Sequence, residues 1–172
     1  MDVTQAQAVE ILRDAHARMA GLFASLTDPD LVRRGAIAGE WSAKDLAGHI
    51  ASWEEMALRT LEEWRRHERP WIEDVLGDGR VDEINGANVR RWLGVTPEEA
   101  LRRFAVSERR ITDAIAGIDD EEWASTSWWP RDEPRVLGRF LGGIMGAPDR
   151  PFGHAYAHLN ELEVYAASRT KP

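Results

Sequence analysis

The chain contains five histidines, His16, His49, His67, His154 and His158, and no cysteine, so any metal it binds must be held by nitrogen and oxygen. His154 and His158 stand four residues apart, which on a helix places both imidazoles on one face, one turn from each other, where they can grip a single ion. By itself that pair is equally compatible with two histidines on a helix surface. His49 adds weight to the metal reading, because it falls inside an apolar stripe between Leu46 and Trp53, where burial alone would select Leu or Ile. Neutral imidazole suits Zn, Ni, Cu and Fe, and three such ligands leave positions open for water or substrate. They do not choose between Zn and Ni.

Stepping along the last helix at about 100° per residue puts His154, His158, Glu161 and Tyr165 on one strip bordering an apolar stripe. Glu161 is therefore a candidate to orient a ligand imidazole or accept a proton, against the plainer reading of a solvated helix acid. Trp53, one turn after His49, and Tyr165 are candidate pocket walls, although a Trp at this spacing is also ordinary core packing. His16 and His67, flanked by polar or small residues, read as surface histidines without a role.

Four amphipathic segments are available to position these groups. Thr4 and Gln7 form a capping-box pair ahead of Ala8, Leu12, Ala15, Met19, Leu22, Phe23 and Leu26, predicting a helix that Thr27-Asp28-Pro29 ends. Ser42 and Asp45 form a second such pair, followed by Leu46, His49, Ile50, Trp53, Met56, Ala57, Leu61 and Trp64; this helix should stop near Arg69, before Pro70. Thr96-Pro97-Glu98-Glu99 is the clearest start signal, with an N-cap, Pro at the first helical position and acids at the positive end of the dipole. The last stripe is Phe152, Ala155, Leu159, Leu162 and Ala166. The Gly-punctuated connector 70–95 holds a short helix over Val81 to Trp92, and 119–150 combines a Trp-rich loop with an apolar stretch, Val136 to Met145, that suits another. No segment alternates with period two, so the expectation is an all-α four-helix bundle with long crossover connections and short extra helices, one domain over residues 1–172.

With 172 residues the chain fits one domain of the usual size, about 100–200 residues. Its net charge of -8 and pI near 5.2 repel phosphate backbones and anionic lipid, so nucleic acid and membrane surfaces are expected to be poor partners. The polar N-terminus, Met1 to Gln5, lacks the basic head and apolar run of a signal peptide, and a cytoplasmic location is the expectation. No Ser-His-Asp order or phosphate-cradling Gly loop supports serine catalysis or nucleotide hydrolysis.

The segments Glu40-Trp41-Ser42-Ala43-Lys44-Asp45-Leu46-Ala47-Gly48-His49-Ile50, Trp53-Glu54 and His154-Ala155-Tyr156-Ala157-His158 resemble the DinB-like superfamily of four-helix bundles. Asp82-Glu83-Ile84-Asn85 is similar to the D-x-x-N of its ClbS/DfsB-type branch; the mycothiol-dependent maleylpyruvate-isomerase-type branch is the other near match. The resemblance implies an up-down-down-up bundle, often a homodimer, with a divalent metal held by His49, His154 and His158. It also implies thiol-dependent transfer or isomerisation, or hydrolytic detoxification of a reactive small molecule.

Two functional readings follow. One is a divalent-metal-dependent enzyme, with Zn or Ni and in some versions a low-molecular-weight thiol, acting on a small reactive molecule in stress or detoxification. The alternative is a non-catalytic small-molecule-binding or sequestering bundle whose metal is structural or absent, with the eight tryptophans supplying stacking surfaces.

Overall fold

The structure, a computed structural model, describes residues 3–37 and 39–169. In chain order the helices are α1 Gln5–Ala24, α2 Asp28–Leu31, α3 Ala43–Arg65, α4 Ile72–Gly77, α5 Val81–Trp92, α6 Pro97–Ala116, α7 Asp120–Ala124, α8 Leu137–Ile144 and α9 His154–Arg169. Among the described residues there is no strand, only isolated bridges such as Ile37 with Trp41. The fold is all-α, as the patterning requires, and no helix of the described residues is long and apolar enough to cross a membrane.

Local signals fix the helix starts. Thr4 Oγ1 accepts the Gln7 N–H at 3.3 Å while Gln7 Oε1 accepts the Thr4 N–H at 3.0 Å. Ser42 and Asp45 make the same reciprocal pair at 3.2 and 3.0 Å, and Thr96 caps α6 through the Glu99 N–H. The ends differ from expectation. The helix α3 stops at Arg65, short of Arg69, because His67 adopts φ 57° and the chain turns over in a Schellman arrangement: the His67 N–H donates to Trp64 O and the Glu68 N–H to Glu63 O. After α1, Thr27 opens the one-turn α2, with Asp30 accepting from both Thr27 N and Oγ1. The short α4 and α7 were not legible in the sequence pattern. Phe152 precedes α9 with φ 59° and is packed into the core without being part of the helix.

The long helices α1, α3, α6 and α9 build the bundle. The helix α6 lies between α3 and α1, and α1 lies between α6 and α9, whereas α3 and α9 meet more sparsely. The core divides along the bundle axis. One half gathers Leu12, Ala57, Leu61, Trp64, Ile111, Ile115 and Phe140; the other gathers Met19, Phe23, Leu46, Ile50, Phe104, Leu159 and Leu162. At the waist sits a buried polar layer: Ser107 Oγ donates to Glu54 Oε2 at 2.6 Å, and His16 Nε2 lies 2.5 Å from Glu54 Oε1. The His16 ring stacks on Phe104 at 4.1 Å. His16 is thus no surface residue, being 5% exposed, and it ties α1 to α3 and α6. Burial of both polar ends is tolerable because each finds a partner.

Candidate metal centre

The three imidazoles singled out from the sequence meet at the sparsely packed seam between α3 and α9. His49 is set by the start of α3: the Ser42–Asp45 capping box fixes the first turn, and His49 faces inward from the second. Burial pushes the Asp45 carboxyl up, but the Ser42 N–H and hydroxyl and the Lys44 ammonium outweigh it and hold it below the usual carboxylate range. His154 opens α9, and its N–H donates to Met145 O at 3.0 Å, so the end of α8 fixes where α9 begins. His158 follows one turn later.

One nitrogen from each ring lies within 4.8 Å of the others. His49 Nε2 and His154 Nε2 are 2.9 Å apart, and ring centroids are 4.8 Å (His49–His154), 5.3 Å (His49–His158) and 5.2 Å (His154–His158). Two nitrogens about 2.0–2.1 Å from one ion at a tetrahedral angle stand roughly 3.3 Å apart, so small rotations would bring this pair to ligand spacing. His49 Nδ1 is buried without a hydrogen-bond partner, leaving Nε2 as the nitrogen that faces the other rings. Burial, then the neighbouring His154 and His158, push His49 down to about 2; burial and His158 push His154 down to about 3. Burial also lowers His158, opposed by the charge of Glu161. All three rings are therefore neutral at pH 7, the form that ligates a metal. The donor set fits a borderline divalent ion such as Zn or Ni.

Two indoles flank the cluster. Trp41 lies 4.6 Å from His49 and 6.4 Å from His158, its backbone clamped by mutual hydrogen bonds with Ile37. Trp53 meets His154 edge-on at 5.9 Å and His49 at 6.5 Å. Its Nε1 donates to Asn85 Oδ1 at 3.0 Å, so α5 braces this wall. The wall role expected of Trp53 is compatible with this placement; Trp41 and Asn85 lie in segments that carry the family resemblance but were not picked out as site residues, and the fold brings them beside the rings. The same helix α5 is anchored by fully buried Trp92, whose ring lies over Gly48, the residue before His49. Trp92 Nε1 donates to Ser52 Oγ, and its carbonyl accepts from Lys44 Nζ at 2.5 Å.

The other candidates lie further out. Glu161 is exposed and reaches the cluster only through its charge on His158. The Tyr165 hydroxyl donates to Asp30 O at 2.7 Å, which commits it to the α2 end of the bundle. His67 stacks on Trp128 at 4.7 Å, beyond the far end of α3 from His49.

Among solved structures, an uncharacterised protein from Escherichia coli UTI89 superposes with a TM-score of 0.71 at 12% identity, covering 98% of this chain and 96% of that one. The colibactin self-resistance protein ClbS, solved in complex with a dsDNA, gives 0.68 at 14% identity over 95% and 97%. The mycothiol-dependent maleylpyruvate isomerase gives 0.62 at 10% identity, covering 96% of this chain but 60% of that chain. At such identities the likeness concerns the fold. No curated protein sequence matches. The DinB superfamily model matches residues 11–146, a span that includes His49 and ends before His154 and His158. The chain belongs to the DinB superfamily.

Proposed function

We propose that the protein is a divalent-metal-dependent enzyme acting on a small reactive molecule, with His49, His154 and His158 as the ligands. One observation carries this reading: three neutral imidazoles from two helices converge within 4.8 Å, with no carboxylate among them to compensate a proton. A metal bound there would lower the pKa of a coordinated water or thiol and make a nucleophile near neutral pH. Around it, Trp41 and Trp53 flank the rings, and Asn85 holds the Trp53 indole. In this reading Glu161, exposed and acting on His158 through its charge, would take up a proton released toward bulk.

A thiol co-substrate is favoured over water alone by likeness to the mycothiol-dependent isomerase; a cytoplasmic homodimer completes the proposal. Nucleic acid is not the partner proposed: although ClbS was solved with dsDNA, a net charge of -8 opposes a phosphate backbone here. The test is elemental analysis of untagged protein beside His49→Ala and His154→Ala. Near one equivalent of Zn or Ni in the parent, lost in both variants while the fold persists, supports the site and justifies screening thiols against electrophiles. A parent that binds no added Zn or Ni refutes it.

A further inference from the structure

Outside glycine, the described residues adopt a left-handed backbone at two positions, His67 (φ 57°) and Phe152 (φ 59°). A residue with a Cβ is held in that region only where its surroundings over-determine it, and such strained residues gather at functional sites. His67 ends α3. Phe152 stands two residues before His154, in the turn that leads from α8 into α9.

That turn is tied to α8 step by step. The Phe152 N–H donates to Gly142 O at 3.1 Å and the His154 N–H to Met145 O at 3.0 Å, while Ala147 and Arg150 exchange reciprocal backbone bonds at 3.0 Å. The Phe152 ring is buried against the bare backbone of Gly142, where a Cβ would stand 2.9 Å from Phe152 Cε2 and 3.2 Å from Pro151 Cβ. Phe152 also stacks on Trp123, with 15° between planes and 6.0 Å between centroids. Trp123 is itself pinned, its Nε1 donating to Val3 O at 3.1 Å.

The seam that carries the imidazoles is poorly placed to set its own spacing, because α3 and α9 meet there only sparsely. The helix α8, by contrast, packs against α3, and Phe152 packs against α8. His154 is the first residue of α9, so the chain entering the helix decides where its ring lies. We propose that Phe152 is a positioning residue for the three-histidine cluster: its ring, seated on Gly142, fixes the start of α9 and with it the approach of His154 to His49. Its importance for metal binding rests on the function proposed above; its effect on the two rings does not. Site groups must be held within about 0.5 Å of their working geometry by residues that do not themselves touch the ligand, and Phe152 supplies that support from α8.

The test uses the full chain, first metal-free and then titrated with Zn against a chelator. In the metal-free parent an NOE should join the His49 and His154 rings, whose centroids are 4.8 Å apart. Gly142→Ala, whose Cβ displaces Phe152, should weaken that NOE and raise the Zn Kd about 10-fold, the scale seen for groups that orient ligands from outside the coordination sphere. Phe152→Leu should do the same, and adding Gly142→Ala to it should do little more, since the shorter side chain leaves room for the Cβ. Gly143→Ala, on the same helix with nothing within 4 Å of its added Cβ, should change neither readout. Ser107→Ala loosens the buried polar layer and should lower the thermal midpoint with both readouts kept, which separates positioning from general loss of stability. Should Gly142→Ala fail to fold, Phe152→Leu carries both measurements. A parent without the NOE, an NOE or Zn affinity undiminished in the folded variants, or an equal loss in Gly143→Ala or Ser107→Ala would each overturn the inference. A parent that takes up no Zn refutes the metal centre alone, and the NOE then decides the role of Phe152.

Discussion

Replacing Gly48 by Ala probes how the metal-bearing segment is held. In an isolated helix the change is favourable, since Gly in a helix interior costs about 1 kcal/mol relative to Ala. Here the added Cβ would stand 2.2 Å from Trp92 Cδ2 and 2.5 Å from Cε2 and Cγ, distances that real side chains do not tolerate. Trp92 is 0% exposed and cannot swing aside without giving up its bond to Ser52 and the Lys44 contact to its carbonyl. Overpacking of a well-filled core costs about 1–3 kcal/mol, and each lost hydrogen bond about 1 kcal/mol. Against the propensity gain of about 1 kcal/mol, Gly48→Ala should destabilise by about 2–4 kcal/mol, read as a lower urea midpoint at unchanged slope. Trp92→Ala alone should cost about 3–5 kcal/mol. In that background the clash is gone, so Gly48→Ala should become neutral or stabilising by up to about 1 kcal/mol. The reversal of sign is the diagnostic outcome. A Gly48→Ala protein as stable as the parent, or the same cost with and without Trp92, would refute the packing argument.

Three other outcomes are expected. His49 and His154 sit at about 2 and 3 when folded against 6.5 unfolded, so below pH 6.5 the unfolded chain takes up protons that the folded one refuses. Their contribution is intact above pH 6.5 and lost as pH falls, about 1.4 kcal/mol per pH unit per ring, or about 4 kcal/mol for the pair at pH 5; urea midpoints of metal-stripped protein at pH 7.5 and 5 should show this, and a His49→Ala variant with the same pH dependence as the parent would count against it. Glu54→Ala leaves the buried His16 ring without its partner and Ser107 Oγ with only the Phe104 carbonyl at 3.0 Å, and should cost about 3–5 kcal/mol, whereas Ser107→Ala should cost about 1 kcal/mol; equal effects would show that the polar layer is not organised around Glu54. Tyr165→Phe should lose about 1 kcal/mol from the bond to Asp30 O and leave metal content unchanged, and loss of metal would return Tyr165 to the site.

The sequence alone determined what depends on neighbours within a turn or two. Thr4 with Gln7, Ser42 with Asp45 and Thr96 with Pro97 place three helix starts, because a cap bonds backbone groups only three residues away. The spacing of His154 and His158 on one helix face, and the anomaly of His49 in an apolar stripe, are equally local facts. Helix ends were less legible: a histidine at φ 57° ends α3 where glycine is the usual residue, and nothing in the pattern near His67 marks it. Everything that required two distant segments to meet was decided by tertiary structure. His16 looks like a surface residue until α3 and α6 bring Glu54 and Ser107, 38 and 53 residues apart from their respective partners, into one buried layer. Gly48 looks like a weak point in a helix until Trp92 occupies the space its side chain would fill. That three imidazoles share one point, with Trp41 and Trp53 beside them, follows from the packing of α3 against α9. Periodicity gives each helix a face, but only close packing of those faces selects which neighbour each one meets.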